Sequence, residues 1–108
     1  MSGEPRFTRV CAVADLPDPG TLAVDLNGIP VVIVKSDGEI FALDEFCTHE
    51  DVSLADGEVY DRTVECWLHG SCFDLGSGKP TGPPATRPLA TYQVRIEGDD
   101  VLVAAPAS

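Results

Sequence analysis

Two histidines and two cysteines of this sequence are spaced as donors to one inorganic centre would be. The first pair is Cys47-Thr48-His49, and the second is Cys66-Trp67-Leu68-His69. Sixteen residues separate His49 from Cys66, so the pattern is C-x-H, sixteen residues, C-x2-H. Each short segment offers one thiolate and one imidazole, donors that suit zinc, copper and iron. Two such segments can close on a single centre. A zinc finger usually takes both cysteines from one segment and both histidines from the other. The mixed order differs from that, although the ligand types alone leave zinc open. Two further cysteines, Cys11 and Cys72, have no paired histidine. They are expected to pack as small apolar residues.

The elements that must position these donors are strands. The chain has 108 residues, the length of one domain. Phe7 to Ala14, Leu22 to Leu26 and Pro30 to Val34 are apolar and rich in β-branched residues. Asn27-Gly28 lies between the second and third of these. It is a strong two-residue hairpin signal, because both turn positions require positive φ. Ser36-Asp37-Gly38 divides Val31–Lys35 from Glu39–Leu43 in the same way, and Glu97-Gly98-Asp99-Asp100 divides Thr91–Ile96 from Val101–Ala104. No window free of Gly and Pro carries a 3.6-residue apolar stripe. Short strands with frequent turns predict an all-β sandwich or barrel. Residues 44–88 hold both histidines, three of the four cysteines and many of the glycines and prolines. They are expected to form an irregular, loop-rich lobe mounted on the β scaffold, since loops on a rigid sheet commonly carry function.

Charge removes several classes of partner. Seven Lys and Arg stand against eighteen Asp and Glu, a formal charge of −11. Binding nucleic acid needs clustered cations on phosphates, and an anionic membrane surface needs the same. Neither partner is expected. Apolar residues make up 44%, enough for a globular core. No apolar run approaches the roughly 18 residues of a membrane span. The start, Met1-Ser2-Gly3-Glu4-Pro5-Arg6, shows no secretory signal. A cytoplasmic location is therefore expected, and there cysteines serve as ligands or thiols more often than as disulfides.

The cysteine–histidine pattern, continued by Gly70-Ser71 and by Phe73-Asp74, resembles the Rieske [2Fe-2S] signature. The likeness is close from Cys47 to Asp74 and looser over the whole chain. It implies a Rieske-type β-sandwich or barrel with an inserted cluster-binding lobe over 44–88, all within one domain over 1–108. It implies one [2Fe-2S] cluster, with Cys47 and Cys66 on one iron and His49 and His69 on the other. Two neutral imidazoles leave the cluster less negative than four thiolates would, which raises its potential above that of plant-type ferredoxins.

High-potential members of that family carry an extra cysteine in each cluster loop and a tyrosine two residues after the serine. Here those positions are Val52, Leu68 and Phe73. The resemblance thus excludes their disulfide and removes one hydroxyl donor, which places the potential near the low end, roughly −150 mV. It points to the soluble ferredoxins of bacterial aromatic ring-hydroxylating dioxygenases. These carry single electrons from an NAD(P)H-dependent flavin reductase to a terminal oxygenase. Both histidines are used by the cluster, so no 2-His-1-carboxylate oxygen site remains. The chain reads as a monomeric carrier rather than an enzyme. The alternative is a Rieske small subunit of an assimilatory nitrite reductase or another oxidoreductase.

Between Asp44 and Glu65 lie eight acids (Asp44, Glu45, Glu50, Asp51, Asp56, Glu58, Asp61, Glu65) and one base, Arg62. This run is either a solvated surface or a docking face for basic partners, whose steering weakens with salt. Gly82-Pro83-Pro84-Ala85 resembles the family's third, proline-containing loop. Trp67 is expected either to shield the cluster or to pack structurally.

Overall fold

The apolar runs become strands. The computed structural model describes residues 7–46, 52–66, 72–81 and 87–104. Among these residues the strands are β1 (Thr8–Ala12), β2 (Gly20–Leu26), β3 (Ile29–Ser36), β4 (Glu39–Asp44), β5 (Glu58–Tyr60), β6 (Thr63–Glu65), β7 (Cys72–Asp74), β8 (Thr91–Glu97) and β9 (Asp100–Ala104). Six of them form one antiparallel sheet in the order β1-β9-β8-β4-β3-β2. Its edge strands β1 and β2 touch, so the sheet curls into a nearly closed barrel. β5, β6 and β7 form a second, three-stranded sheet. The all-β expectation holds.

The predicted hairpins form where the turn chemistry placed them. Leu26 pairs with Ile29 around Asn27-Gly28, Ser36 with Glu39, and Glu97 with Asp100. Asn27 and Gly28 take φ of 51° and 93°, the positive pair that a type I′ turn requires. β1 is shorter than its apolar run suggests. Val13–Asp15 turn into a single 3-10 turn instead, and the Asp15 carboxylate accepts the Ala12 N–H at 3.0 Å.

β3 explains how so short a chain holds two cores. Val31, Val32, Ile33 and Val34 are all buried, the pattern of a strand covered on both faces. Val31 and Ile33 point into the barrel with Cys11, Leu16, Leu26, Ala42, Val101 and Val103. Val32 and Val34 point the other way, with Leu43, Leu54, Val64, Cys66, Phe73, Leu75 and Leu89. β3 is thus the wall between a barrel core and a second core under the three-stranded sheet.

Cys11 packs as expected, and burial pushes its thiol above the ordinary range, with Asp15 adding to the shift. Only the thiolate is nucleophilic. Cys11 is therefore expected to resist iodoacetamide at pH 8 in the native protein and to react once urea unfolds it. Rapid native alkylation, located by peptide mass mapping, would contradict this burial.

Candidate metal centre

The expected irregular lobe contains regular structure. Glu58–Tyr60, Thr63–Glu65 and Cys72–Asp74 pair antiparallel, with Val59 opposite Val64 and Val64 opposite Phe73. The β5–β6 turn is Asp61-Arg62, with φ of 51° and 59°. An arginine at positive φ is unusual, and tertiary contacts hold it there. Its carbonyl accepts the Leu75 N–H at 2.9 Å. Its guanidinium pairs with Glu39 and lies 5.3 Å from the centroid of the Phe41 ring, both on β4. Arg62 therefore fastens the small sheet to the barrel. It also spends the single base of the 44–65 acidic run on a carboxylate outside that run.

The flanks of three segments gather at one place. Phe46 and Ser53 form an antiparallel bridge around 47–51, and the Leu54 N–H donates to the Glu45 carbonyl at 2.7 Å. Ser53 Oγ donates to the Glu45 carboxylate at 2.6 Å and accepts the Ala55 N–H at 3.1 Å, capping the 3-10 turn Leu54–Asp56. Glu65 pairs with Cys72 across 67–71. The Thr81 N–H donates to the Cys72 carbonyl at 2.8 Å, and beyond 82–86 the Leu89 N–H donates to Gly78 at 2.7 Å. Leu54, Cys66, Phe73 and Leu89 meet in one buried cluster, with Val52 against it.

Gly57 makes the approach of two of these flanks possible. A Cβ there would stand 1.9 Å from the Glu65 carbonyl oxygen. No other residue lets the chain after Ser53 pass so close to the strand that ends at Cys66.

Hydrogen bonds fix the rest of the frame. The Asp74 carboxylate accepts the N–H and the hydroxyl of Ser77, which holds it below the usual carboxylate range. Asp44 accepts the Tyr92 hydroxyl at 2.5 Å and the Ala90 N–H at 3.2 Å, tying the chain after Leu89 to the end of β4. Burial, with Asp44 adding, raises the Tyr92 hydroxyl above its ordinary value. The Tyr60 hydroxyl donates to Glu65 at 2.7 Å and lies 3.3 Å from Cys72 Sγ. Those contacts, Cys72 first, raise Tyr60 as well. Cys72 is half-buried and in a polar contact, so the expectation of simple apolar packing fails for it.

Of the four donors read from the sequence, Cys66 is placed: it is fully buried at the end of β6. Cys47, His49 and His69 lie outside the described residues, as do Trp67, Leu68, Ser71 and Gly82-Pro83-Pro84-Ala85. Val52 stands half-buried against the core. Among the described residues no group of three metal-binding side chains occurs. Sequence reading missed Tyr60, Glu65 and Arg62 as parts of the frame, because their contacts are set by β5–β7 pairing that three-residue strands barely announce.

A nearly closed β-barrel bearing a second small sheet, with a buried cysteine at the head of a C-x2-H segment, is the architecture of a known class. The chain belongs to the Rieske [2Fe-2S] domain family, whose profile matches residues 6–93. Its cofactor is a Rieske-type [2Fe-2S] cluster, and the described residues fit such a group: a dry thiol stands where the chain flanks converge. Within the family the similarity is to dioxygenase ferredoxins. The biphenyl dioxygenase ferredoxin subunit of Pseudomonas sp. (strain KKS102) is 43% identical over 90% of each chain. The ferredoxin of carbazole 1,9a-dioxygenase from Nocardioides aromaticivorans IC177 superposes with a TM-score of 0.88 at 29% identity, over 93% of this chain and 98% of that one. A chain from a complex of reduced oxygenase and oxidized ferredoxin in carbazole 1,9a-dioxygenase gives 0.87 at 27% identity, over 97% and 98%. No helix among the described residues is long and apolar enough to cross a membrane.

Proposed function

We propose that the chain is the ferredoxin component of an aromatic ring-hydroxylating dioxygenase system. It takes single electrons from an NAD(P)H-dependent flavin reductase and delivers them to a terminal oxygenase, in the cytoplasm and as a monomer. The whole of 1–108 serves as one domain, with 44–88 as its cluster-binding lobe. Cys47 and Cys66 hold one iron, and His49 and His69 the other. The observation that carries this reading is the single buried cluster of Leu54, Cys66, Phe73 and Leu89, which draws the flanks of the C-x-H, C-x2-H and Pro-Pro segments together. Its relatives include dioxygenase ferredoxins 38% and 43% identical to it.

The [2Fe-2S] cluster supplies one-electron chemistry when bound. The protein's own part is to hold and to present. Cys66 brings its thiolate from a dry core, where water is excluded from that side. Arg62 and Asp44 fix the small sheet and the chain after Leu89 against the barrel. Glu58 and Asp61 are exposed on the small sheet. Asp44, Glu45 and Glu65 accept bonds from neutral hydroxyls, so their negative charge stays available to a partner. Long-range attraction to a basic surface follows.

Omitting the chain from a mixture of NADH, flavin reductase, oxygenase and aromatic substrate is expected to abolish product. The rate of its reduction by the reductase is expected to fall about tenfold or more between low and roughly 0.5 M salt, since steering of this kind is screened by ions. Stopped-flow absorbance checks the second outcome. Salt-independent reduction would remove the docking role of the acids.

A further inference from the structure

Alternation along the small sheet sends its side chains to two faces. Val59, Val64 and Phe73 point into the core that holds Cys66. Tyr60, Glu65 and Cys72 therefore share the outward face. Tyr60 sits opposite Thr63, one diagonal step from Glu65, and the Thr63 hydroxyl donates to its carbonyl at 2.6 Å. An aromatic side chain can span such a diagonal. The Tyr60 hydroxyl goes further, reaching Glu65 on β6 at 2.7 Å and Cys72 on β7 at 3.3 Å. The directions of these bonds follow from which groups carry protons. A carboxylate only accepts, so the Tyr60 proton goes to Glu65, and the Tyr60 oxygen is left to accept from the Cys72 thiol. One hydroxyl thus joins three strands. Tyr60 is 43% exposed, which apolar packing of its ring would not explain.

Glu65 and Cys72 are a cross-strand pair, and the segment between them carries Cys66 and His69. In the ligand set proposed above, those two residues give one donor to each iron. We propose that Tyr60 is a positioning residue for the cluster: it clasps the two ends of the 66–71 segment and so fixes where His69 is offered. The proposal rests on that ligand set. Cys66 needs no such clasp, because its own burial among Leu54, Phe73 and Leu89 holds it. His69 is three residues further on and depends on both ends of its segment staying together. The ladder alone holds them weakly, since β5, β6 and β7 contribute three residues each, and pairing so short is marginal in water. The core braces the inward face of this ladder, and the hydroxyl braces the outward one. The bond to Cys72 has a second effect. The Cys72 carbonyl accepts the Thr81 N–H at 2.8 Å, so holding Cys72 in place holds Thr81 as well.

The test uses the intact, cluster-loaded protein. Wild type is compared with Tyr60→Phe, Cys72→Ala, Cys72→Ser, Glu65→Gln and the double variant Tyr60→Phe/Cys72→Ala. The readouts are bleaching of the visible spectrum by excess iron chelator, amide exchange of the peptide spanning 66–72, and the EPR line width of the reduced state. Tyr60→Phe is expected to bleach, and to exchange in that peptide, roughly 3–10-fold faster, as the loss of a net hydrogen bond predicts. Its EPR lines should broaden as the His69 ring loses a single orientation. Exchange in the β8–β9 hairpin should stay as in wild type, which separates a local clasp from a global loss of stability. Glu65→Gln keeps an acceptor and Cys72→Ser keeps a donor, so both should stay within about twofold of wild type. The double variant should be no faster than Tyr60→Phe, because the hydroxyl that Cys72 meets is already gone. Wild-type rates and line widths in Tyr60→Phe would overturn the clasp and leave the ligand set intact. Equal acceleration in the hairpin, or additive effects in the double variant, would overturn it too. A wild-type EPR spectrum without the two-histidine signature would overturn the ligand set, and the clasp with it.

Discussion

Phe73→Ala is expected to cost roughly 3–5 kcal/mol of folding stability, the usual range for removing a buried phenylalanine. Phe73 is fully buried, pairs with Val64, and shares its core with Cys66, Leu54 and Leu75. A domain of this size holds about 5–15 kcal/mol in total, so the variant approaches the folding threshold. The void would lie beside the buried thiol, so cluster loading should fall with stability. Urea denaturation and visible absorbance per mole of protein report the two quantities. A variant that lost less than about 1 kcal/mol would mean that the small sheet collapses around the gap. Phe73→Tyr separates packing from electronics. By resemblance to high-potential Rieske proteins, a hydroxyl there donates toward the cluster. A net hydrogen bond of about 0.5–1.5 kcal/mol corresponds to roughly 20–60 mV for one electron. The potential should therefore rise by that amount, and no rise in a loaded variant would show that the hydroxyl bonds elsewhere.

What the sequence disclosed depended on whether local chemistry or long-range contact decided the conformation. Asn27-Gly28 announces its hairpin because few residues tolerate two positive φ values in succession. The run Pro30–Val34 announces a strand, and β3 is there, but its burial on both faces appears only in the structure. Asp61-Arg62 takes the same kind of turn without announcing it. Its conformation is held by Leu75, Glu39 and Phe41, which are distant in sequence. Hence β5, β6 and β7 read as irregular, although three strands are there. The site shows the same division. The spacing of Cys66 and His69 is visible in the sequence, but the burial of Cys66 depends on Leu54, Phe73 and Leu89 arriving from elsewhere. Cys72 looked like a small apolar residue because the partner that changes its character, Tyr60, is brought by strand pairing.

His69→Cys, or His49→Cys, is expected to lower the reduction potential by on the order of 100 mV in a variant that keeps its cluster. The argument is electrostatic. A neutral imidazole would be exchanged for a thiolate, adding one negative charge at the iron that the histidines hold in the proposed ligand set. Adding an electron to a more negative group costs more. Rieske centres reach down to about −150 mV and plant-type ferredoxins with four thiolates lie near −400 mV. Half of that interval, for one of two replacements, is about 125 mV. The dry side of the site would not screen the added charge, since the core around Cys66 excludes water. A redox titration followed by EPR measures the shift. Cys66→Ser is the opposing control: it removes a thiolate from the buried side and should abolish loading. An unchanged potential in a loaded histidine-to-cysteine variant would mean that charge at that iron does not set the potential. The low potential that the resemblance implies would then have to come from hydrogen bonding, the term that Phe73→Tyr probes.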